Sequence, residues 1–547
     1  MATSDVSIKS SLGEVTGASI VLQVGAVPYA SVTLRPGGEG ANVSGGGTFP
    51  DIDARRRASL ETLEIAVRIR KGDSSGEANR TFNFEGYLDG YSVSNVVGGN
   101  SYQAILKHKA QSLLELTTIM PGLYPTSTNI YKIASHSITT TAQGEESESV
   151  KLWNRLASYE EVLKLPPIKA YVAFLKVIIK TQQKGWESFA GVDKMISGNN
   201  AFKDIFEAPS YKKNLESCLQ LLNKLNYDAC EGEIDNLVSA GITLEGMRRA
   251  FTEGSTIFLE NLLGFLSTLG CSLIFGKDET YIVPINSVLK QEPYKPGPGV
   301  LSTAVNKAGP ADYNGYSFQD IGYRDVNSVI LIAADYVGGS TYAAGKFDTG
   351  VITCFAAPAQ EAKGSGVYVV RAHPWMALST TAPAGTDARK GKIDLDGENS
   401  LYDKKQSFAA AVTETGKAYS EVAQTKEKAI AEKPGKFLKN YAETKYYQAR
   451  FTDRQGTITL DFNPKWAPGT GGILYVRKTE MFLHFYVHTV THTVEHTPPA
   501  VGSALTIISF NCGRFGPSPA GSDGDLFLGY TPEIEEMIRE NFAASYE

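Results

Sequence analysis

With 547 residues, 42% of them hydrophobic and 20% charged, the chain has a globular composition and is too long for a single core. A net charge of −6 excludes a broadly basic nucleic-acid surface, so DNA near this protein would be repelled rather than gripped. Five scattered cysteines, Cys218, Cys230, Cys271, Cys354 and Cys512, form no C-x-x-C and fit a reducing cytoplasm.

The first residues, "MATSDVSIKSSLGEV", lack the basic start and apolar stretch of a signal peptide. Residues 1–120 then read as strands. "ASIVLQVGAVPYASVTLRP" is broken at Gly25 and Pro28, and "LETLEIAVRIRKG" alternates. "TFNFEGYLDGYSVSNVVGGNSYQAILKHKA" forms two strands about Gly98-Gly99-Asn100. A Gly-rich loop, "RPGGEGANVSGGGTFPD", lies between them.

Near residue 150 the period changes from two to 3.6. "KLWNRLASYEEVLKLPPIKAYVAFLKVIIKTQQ" is helical, and its apolar run is broken by Lys176 and too short to span a membrane. "YKKNLESCLQLLNKLN" puts Leu215, Cys218, Leu219, Leu222 and Leu225 on one face. In "STIFLENLLGFLSTLGCSLIFGKDETYIVP", Leu259, Leu262, Leu263, Leu266 and Leu269 make a stripe that Gly270 stops. Two strands about Lys277-Asp278 follow, giving a helix-to-hairpin unit.

From about 310 the strand pattern returns with "NSVILIAADYVGG" and "GTITLDFNPKWAPGTGGILYVRK". Between these, 406–448 is rich in Ala, Lys and Glu and reads as one or two exposed helices. "FLHFYVHTVTHTVEH" then holds four of the seven histidines at a spacing of four. Its Phe, Tyr, Val and Thr residues favour a strand, on which each step of four covers roughly 13 Å, too far for one ion to bridge. His484, His488, His492 and His496 are therefore expected as neutral imidazoles on a polar strand face, with Val487, Thr489 and Thr491 on the other. A metal held between chains by histidines meeting at a symmetry axis is the alternative.

"SALTIISFNCGRF" closes the block, and "GPSPAGSDGDLFLG" links it to "TPEIEEMIRENF". There Thr531 is the N-cap, Pro532 opens the helix, and Ile534, Met537, Ile538 and Phe542 form a narrow apolar stripe.

Templates for chemistry fail. In "GGSTYAAGKF" the span Gly339 to Gly345 is one residue too long for a phosphate loop, and Phe347 stands where Ser or Thr should meet Mg²⁺. H-E-x-x-H, G-x-S-x-G and a strand-borne G-x-G-x-x-G are missing, and Glu160-Glu161 and Glu535-Glu536 read as solvated helix faces. Catalytic, cofactor-binding and metal residues are accordingly assigned as none. Function is expected to reside in surfaces.

The two β regions echo one another. "FNFEGYLDGYSVSN…NSYQAILKHKAQSLLEL" and "MFLHFYVHTVTHTVEH…GSALTIISFNCGRFG" each start on an aromatic residue, run to a turn and return through a strand opening on Ser. In this setting the chain resembles the baseplate hub family of tailed bacteriophages. One carrier is the segment from "FNPKWAPGTGG" to "ALTIISF", with Pro468-Gly469, Phe485, Val490, His492 and the return strand Leu505 to Ser509 at the family's positions. The other is the helix–hairpin "LLGFLSTLGCSLIFGKDETYIVP", which is similar to the family's inter-barrel domain. The chain departs from the pattern where family members often have Gly at His484 or Phe485, and in its long 406–448 insertion.

The resemblance implies an α+β fold. Residues 1–120 would form a first tube-like antiparallel β-barrel and 121–305 a helical α+β module. A second barrel with the insertion would occupy 306–516, and a linker with a docking helix 517–547. It further implies a non-enzymatic virion component at the tail tip, assembled in the host cytoplasm without membrane insertion. That component would be a homotrimer adapting the sixfold tail tube to the threefold central spike. The tape-measure protein and neighbouring baseplate proteins are its further partners, and DNA would pass without specific binding. The alternatives are a glycan-binding or glycan-hydrolysing β-protein and the hub-like part of a secretion-system spike.

Overall fold

The computed structural model describes residues 4–34, 56–69, 78–96, 99–111, 117–118, 166–183, 208–226, 256–268, 270–284, 300–301, 314–320, 326–333, 351–356, 366–371, 445–446, 449, 454–476, 481–496 and 502–516. The Gly-rich loop, nearly all of 406–448 and the 517–547 tail lie outside them.

The N-terminal strands are β1 (Ser4–Ser10), β2 (Val15–Gln23), β3 (Tyr29–Leu34), β4 (Leu60–Ile69), β5 (Ala78–Val96) and β6 (Gly99–His108). Their alternation is clean: in β4, Leu63, Ile65, Val67 and Ile69 are buried while Glu64 and Arg68 point away. Such alternation fits antiparallel strands with one face on a core. The short strand β7 (Thr117–Thr118) follows.

Among the described residues the middle of the chain holds three helices and a hairpin: α1 (Pro167–Gln183), α2 (Pro209–Asn223) and α3 (Phe258–Thr268), with short strands β8 (Leu225–Asn226) and β9 (Thr256–Ile257) between. In α2, Leu215, Cys218 and Leu222 are buried, the 3.6-period face that the sequence marks. The helix-to-hairpin unit is present. In α3, Leu259, Leu262, Phe265 and Leu266 are buried, and Gly270 takes φ +73°. From that turn β10 (Cys271–Phe275) leads to β11 (Thr280–Pro284) as an antiparallel pair. Tyr171 of α1 stacks on Phe265 at 3.8 Å between ring centroids, so two helices share one buried aromatic pair.

The remaining strands are β12 (Val300–Leu301), β13 (Gly315–Asp320), β14 (Val326–Ala333), β15 (Val351–Ala356), β16 (Gly366–Arg371), β17 (Arg454–Asp461), β18 (Gly471–Val476), β19 (Met481–Glu495) and β20 (Ser503–Gly516). β14, β15 and β16 form a separate three-stranded sheet.

The topology shows more repetition than the two hairpins seen in the sequence. Within the twelve-stranded sheet the N-terminal strands are ordered β1-β4-β5-β6-β3-β2. The C-terminal strands are ordered β12-β18-β19-β20-β17-β13. Taken in chain order, both follow the same permutation, first-fourth-fifth-sixth-third-second. All corresponding pairs are antiparallel except that β12 meets β18 in parallel over two residues. The long fifth strand is bulged at the same place in both: the register shifts between Leu88 and Gly90 in β5, and between Phe485 and Thr489 in β19. The chain therefore carries one six-stranded unit twice, and β2 of the first pairs directly with β19 of the second.

Candidate functional site

The β2–β19 joint is where the two units become one sheet. Gln23 to Gly17 runs antiparallel to Thr489 to Glu495, placing Leu22 opposite Val490 and Ile20 opposite His492. All four side chains are buried, and Val494 extends the apolar row. Two further backbone bonds clamp the joint's ends: Val24 N–H donates to the His488 carbonyl at 3.1 Å, and His496 N–H to the Thr16 carbonyl at 2.8 Å.

The histidine strand therefore needs correction. His492 is fully buried and does not belong to a polar face. Its ring lies 4.9 Å from that of Phe82 on β5 and 5.3 Å from that of Phe462, both tilted, so an imidazole from one unit is wedged against aromatic rings of both. Nδ1 is 3.0 Å from Thr506 Oγ1, which also accepts the Asn463 N–H at 2.8 Å. Nε2 has no partner among the described residues. Burial pushes the His492 pKa down to about 3, so the ring is neutral at ordinary pH. His488 is half-buried, its Nδ1 is 3.0 Å from Thr489 Oγ1, and burial lowers its pKa too. No cluster of three His, Cys, Asp or Glu side chains among the described residues is placed to hold a metal.

Arg80 stitches the same region. From β5 it donates to the Phe462 carbonyl, while Phe462 N–H bonds the Ala504 carbonyl at 3.2 Å. Burial lowers the Arg80 pKa, and the Asp461 carboxylate opposes that.

The β10–β11 hairpin touches both units through glycine turns. Gly25, at φ +71°, donates to the Leu273 carbonyl at 2.7 Å. Gly469, at φ +81°, lies so close to Val283 that a Cβ would sit 2.8 Å from its Cγ2. This is the Pro468-Gly469 turn read in the sequence, and both its conformation and its neighbour require glycine.

Beside the hairpin a cleft of about 490 Å³ opens between the first unit and α2. Lys109 pairs with Asp278 across it at 3.2 Å, and Lys277 reaches Glu85 at 3.1 Å. His108 lines the cleft, accepts the Ala110 N–H at 3.3 Å through Nδ1, and is lowered to about 4, chiefly by burial. Close by, burial alone would raise the Asp89 carboxyl. Lys107 at 2.9 Å and Arg57 outweigh that and hold it below the usual carboxylate range. These groups are arranged as ion pairs that fix one layer on another. Among the described residues of the cleft no hydroxyl or thiol is hydrogen-bonded to a base as a nucleophile would be.

No protein-family model and no curated protein matches the chain. Solved structures align over most of it. The tail protein from Neisseria meningitidis MC58 has 7% identity over 93% of this chain and 96% of that one, with a TM-score of 0.38. The prophage MuSo2 43 kDa tail protein from Shewanella oneidensis has 9% identity over 92% and 98%, with a TM-score of 0.35. A prophage tail protein from Listeria monocytogenes EGD-e has 7% identity over 92% and 94%, with a TM-score of 0.37. With every TM-score below 0.5, these are likenesses in outline, and no role is carried over from them.

Proposed function

We propose that the protein is a structural hub of a bacteriophage tail, a homotrimer that joins a sixfold tail tube to a threefold spike. The supporting observation is the twice-used six-stranded unit, its copies linked side by side through β2 and β19. Three such chains offer six similar units to a sixfold neighbour while remaining threefold as a whole, which is the geometric task of an adaptor. The net charge of −6 suits a channel wall past which DNA slides. On this reading the tube binds above and the spike below, with the tape-measure protein inside and baseplate proteins around. The protein performs no reaction, acts in the virion after assembly in the host cytoplasm, and makes no specific contact with DNA.

The test is the assembly state of the purified full-length chain, by light scattering and negative-stain microscopy at micromolar concentration, with and without a spike protein. Threefold rings with a central channel are expected. A stable monomer that forms no ring even with spike present overturns the proposal.

A further inference from the structure

Helix α2 has two working faces. Leu215, Cys218 and Leu222 turn into the core, while Lys213, Asn214, Ser217, Gln220, Leu221 and Lys224 recur at the same three- and four-residue spacing along the cleft. On a lone surface helix such a polar stripe is a solvated face. Here it looks across about 490 Å³ of space onto a wall made by the first unit and the β10–β11 hairpin, so the stripe is one side of a groove.

This groove is positive in a protein of net charge −6. Its described lining holds four cationic side chains, Arg57, Lys109, Lys213 and Lys224, against one carboxylate, Asp278. Arg57 is paired with Asp89, and Lys109 with Asp278. Lys213 makes no ion pair among the described residues, and Lys224 only feels the Asp278 charge from a distance. Between these two lysines the helix presents the side-chain amides of Asn214 and Gln220, neither bonded to another described residue. On the facing wall Gln111 turns its Oε1 inward, where it meets no partner. A planar amide offers donors beside an acceptor, the set that a peptide unit matches. At the rim Leu60 is 41% exposed and stands opposite Tyr87 in the β4–β5 register, an apolar step beside the charges.

We infer that the groove between α2 and the first unit docks an extended, acidic peptide segment of a partner protein. Lys213 and Lys224 are eleven residues apart, about 16 Å along the helix. In an extended chain, residues four apart lie on one side at a distance of about 13 Å. Two carboxylates at that spacing therefore meet the two lysines, whose long side chains close the remaining gap. The amides of Asn214 and Gln220 bond the peptide backbone between them, and an apolar side chain covers Leu60 and Tyr87. A small anion would engage one lysine and leave the amides and the apolar rim unused. The groove asks nothing of the oligomeric state, so this inference and the hub reading stand or fall separately.

The experiment titrates the full chain into a positional-scanning library of fluorescein-labelled hexapeptides, acetylated and amidated, and reads fluorescence anisotropy at constant ionic strength. The expected result is selection of Asp or Glu at two positions four apart. Affinity for the selected peptide falls at least tenfold in Lys213→Glu and in Lys224→Gln, with melting temperatures unchanged. It is kept in Lys465→Glu, a charge reversal at an exposed lysine outside the groove. No acidic preference, or an equal loss in Lys465→Glu, overturns the inference. Displacement of the selected peptide by millimolar inorganic phosphate makes the groove a general anion site and overturns a peptide occupant. A synthetic copy of residues 517–547, which hold seven acidic residues and one arginine, is the last competitor. If it binds more tightly than every library member, the occupant is the end of a second copy of this chain, and a separate partner is overturned.

Discussion

Acidification should loosen the seam around His492 well before the carboxylates titrate. In the unfolded chain this histidine binds a proton near pH 6.5, whereas burial holds the folded pKa at about 3. Below pH 6.5 the unfolded state gains a proton that the folded state refuses, so stability falls by about 1.4 kcal/mol per pH unit until the folded ring titrates. His108 behaves alike between 6.5 and about 4. At pH 5 each has removed roughly 2 kcal/mol relative to pH 7, and together roughly 4 kcal/mol. Asp89 and Asp278 are held below the usual carboxylate range, so these two neighbours stay charged from pH 6.5 to 5 while the histidines act. The assay is urea unfolding followed by tryptophan fluorescence at pH 7 and pH 5, for the wild type, His492→Gln and His108→Gln. Glutamine keeps a group able to bond Thr506 and removes the titration. The 492 variant loses about 1–3 kcal/mol at pH 7 from its two ring contacts, and its pH 7-to-5 difference shrinks by roughly 2 kcal/mol. If that difference matches the wild type's, the folded imidazole exchanges protons freely and its burial between Phe82 and Phe462 is refuted.

Gly469→Ala meets both a positive φ and the Val283 side chain, so a loss of about 1–3 kcal/mol and a lower melting temperature are expected by scanning fluorimetry. The Cys218 and Cys512 thiols are buried and pushed above the ordinary range by desolvation, so neither should react with a thiol reagent at pH 8 until denaturant is added. Deleting 517–547 should leave the trimer and its melting nearly unchanged while weakening assembly with a tail partner, as expected of a tethered docking element; early melting or aggregation of the truncated chain would sink that idea.

Local periodicity makes much of this fold legible. The α2 face and the α3-to-hairpin unit follow from 3.6-residue spacing and a stop glycine, and the β5–β6 and β19–β20 hairpins from alternation and turn residues. The histidine strand marks the limit of local pattern. Past the bulge its even positions do share one face, but the histidines alone make that face look polar. Beyond the bulge the strand points the other way: Val490 and Val494 share the face of His492, and Thr489, Thr491, Thr493 and Glu495 the other. Burial of the His492 imidazole depends on Phe82, some 400 residues away in sequence, so spacing alone has no access to it. The six-strand permutation is hidden for a related reason. It lies in which strands pair, and corresponding strands such as β3 and β17 share burial pattern more than residue identity.

The repeated unit also allows its two copies to be compared by paired substitutions at equivalent positions. Ile20 is fully buried against β19 within the chain, and Ile20→Ala should cost about 2–5 kcal/mol of folding stability. Its equivalent, Phe318, is only partly buried on β13, where it stacks with Tyr316 at 6.2 Å. Phe318→Ala should cost less, under about 2 kcal/mol, because much of that side chain still meets water. Urea unfolding of each variant beside the wild type reads both quantities. Should Phe318→Ala destabilise the chain as much as Ile20→Ala, the core around β13 is as complete as that around β2 and the partial burial of Phe318 is refuted. Should it cost nothing, the equivalence of β2 and β13 is one of topology alone.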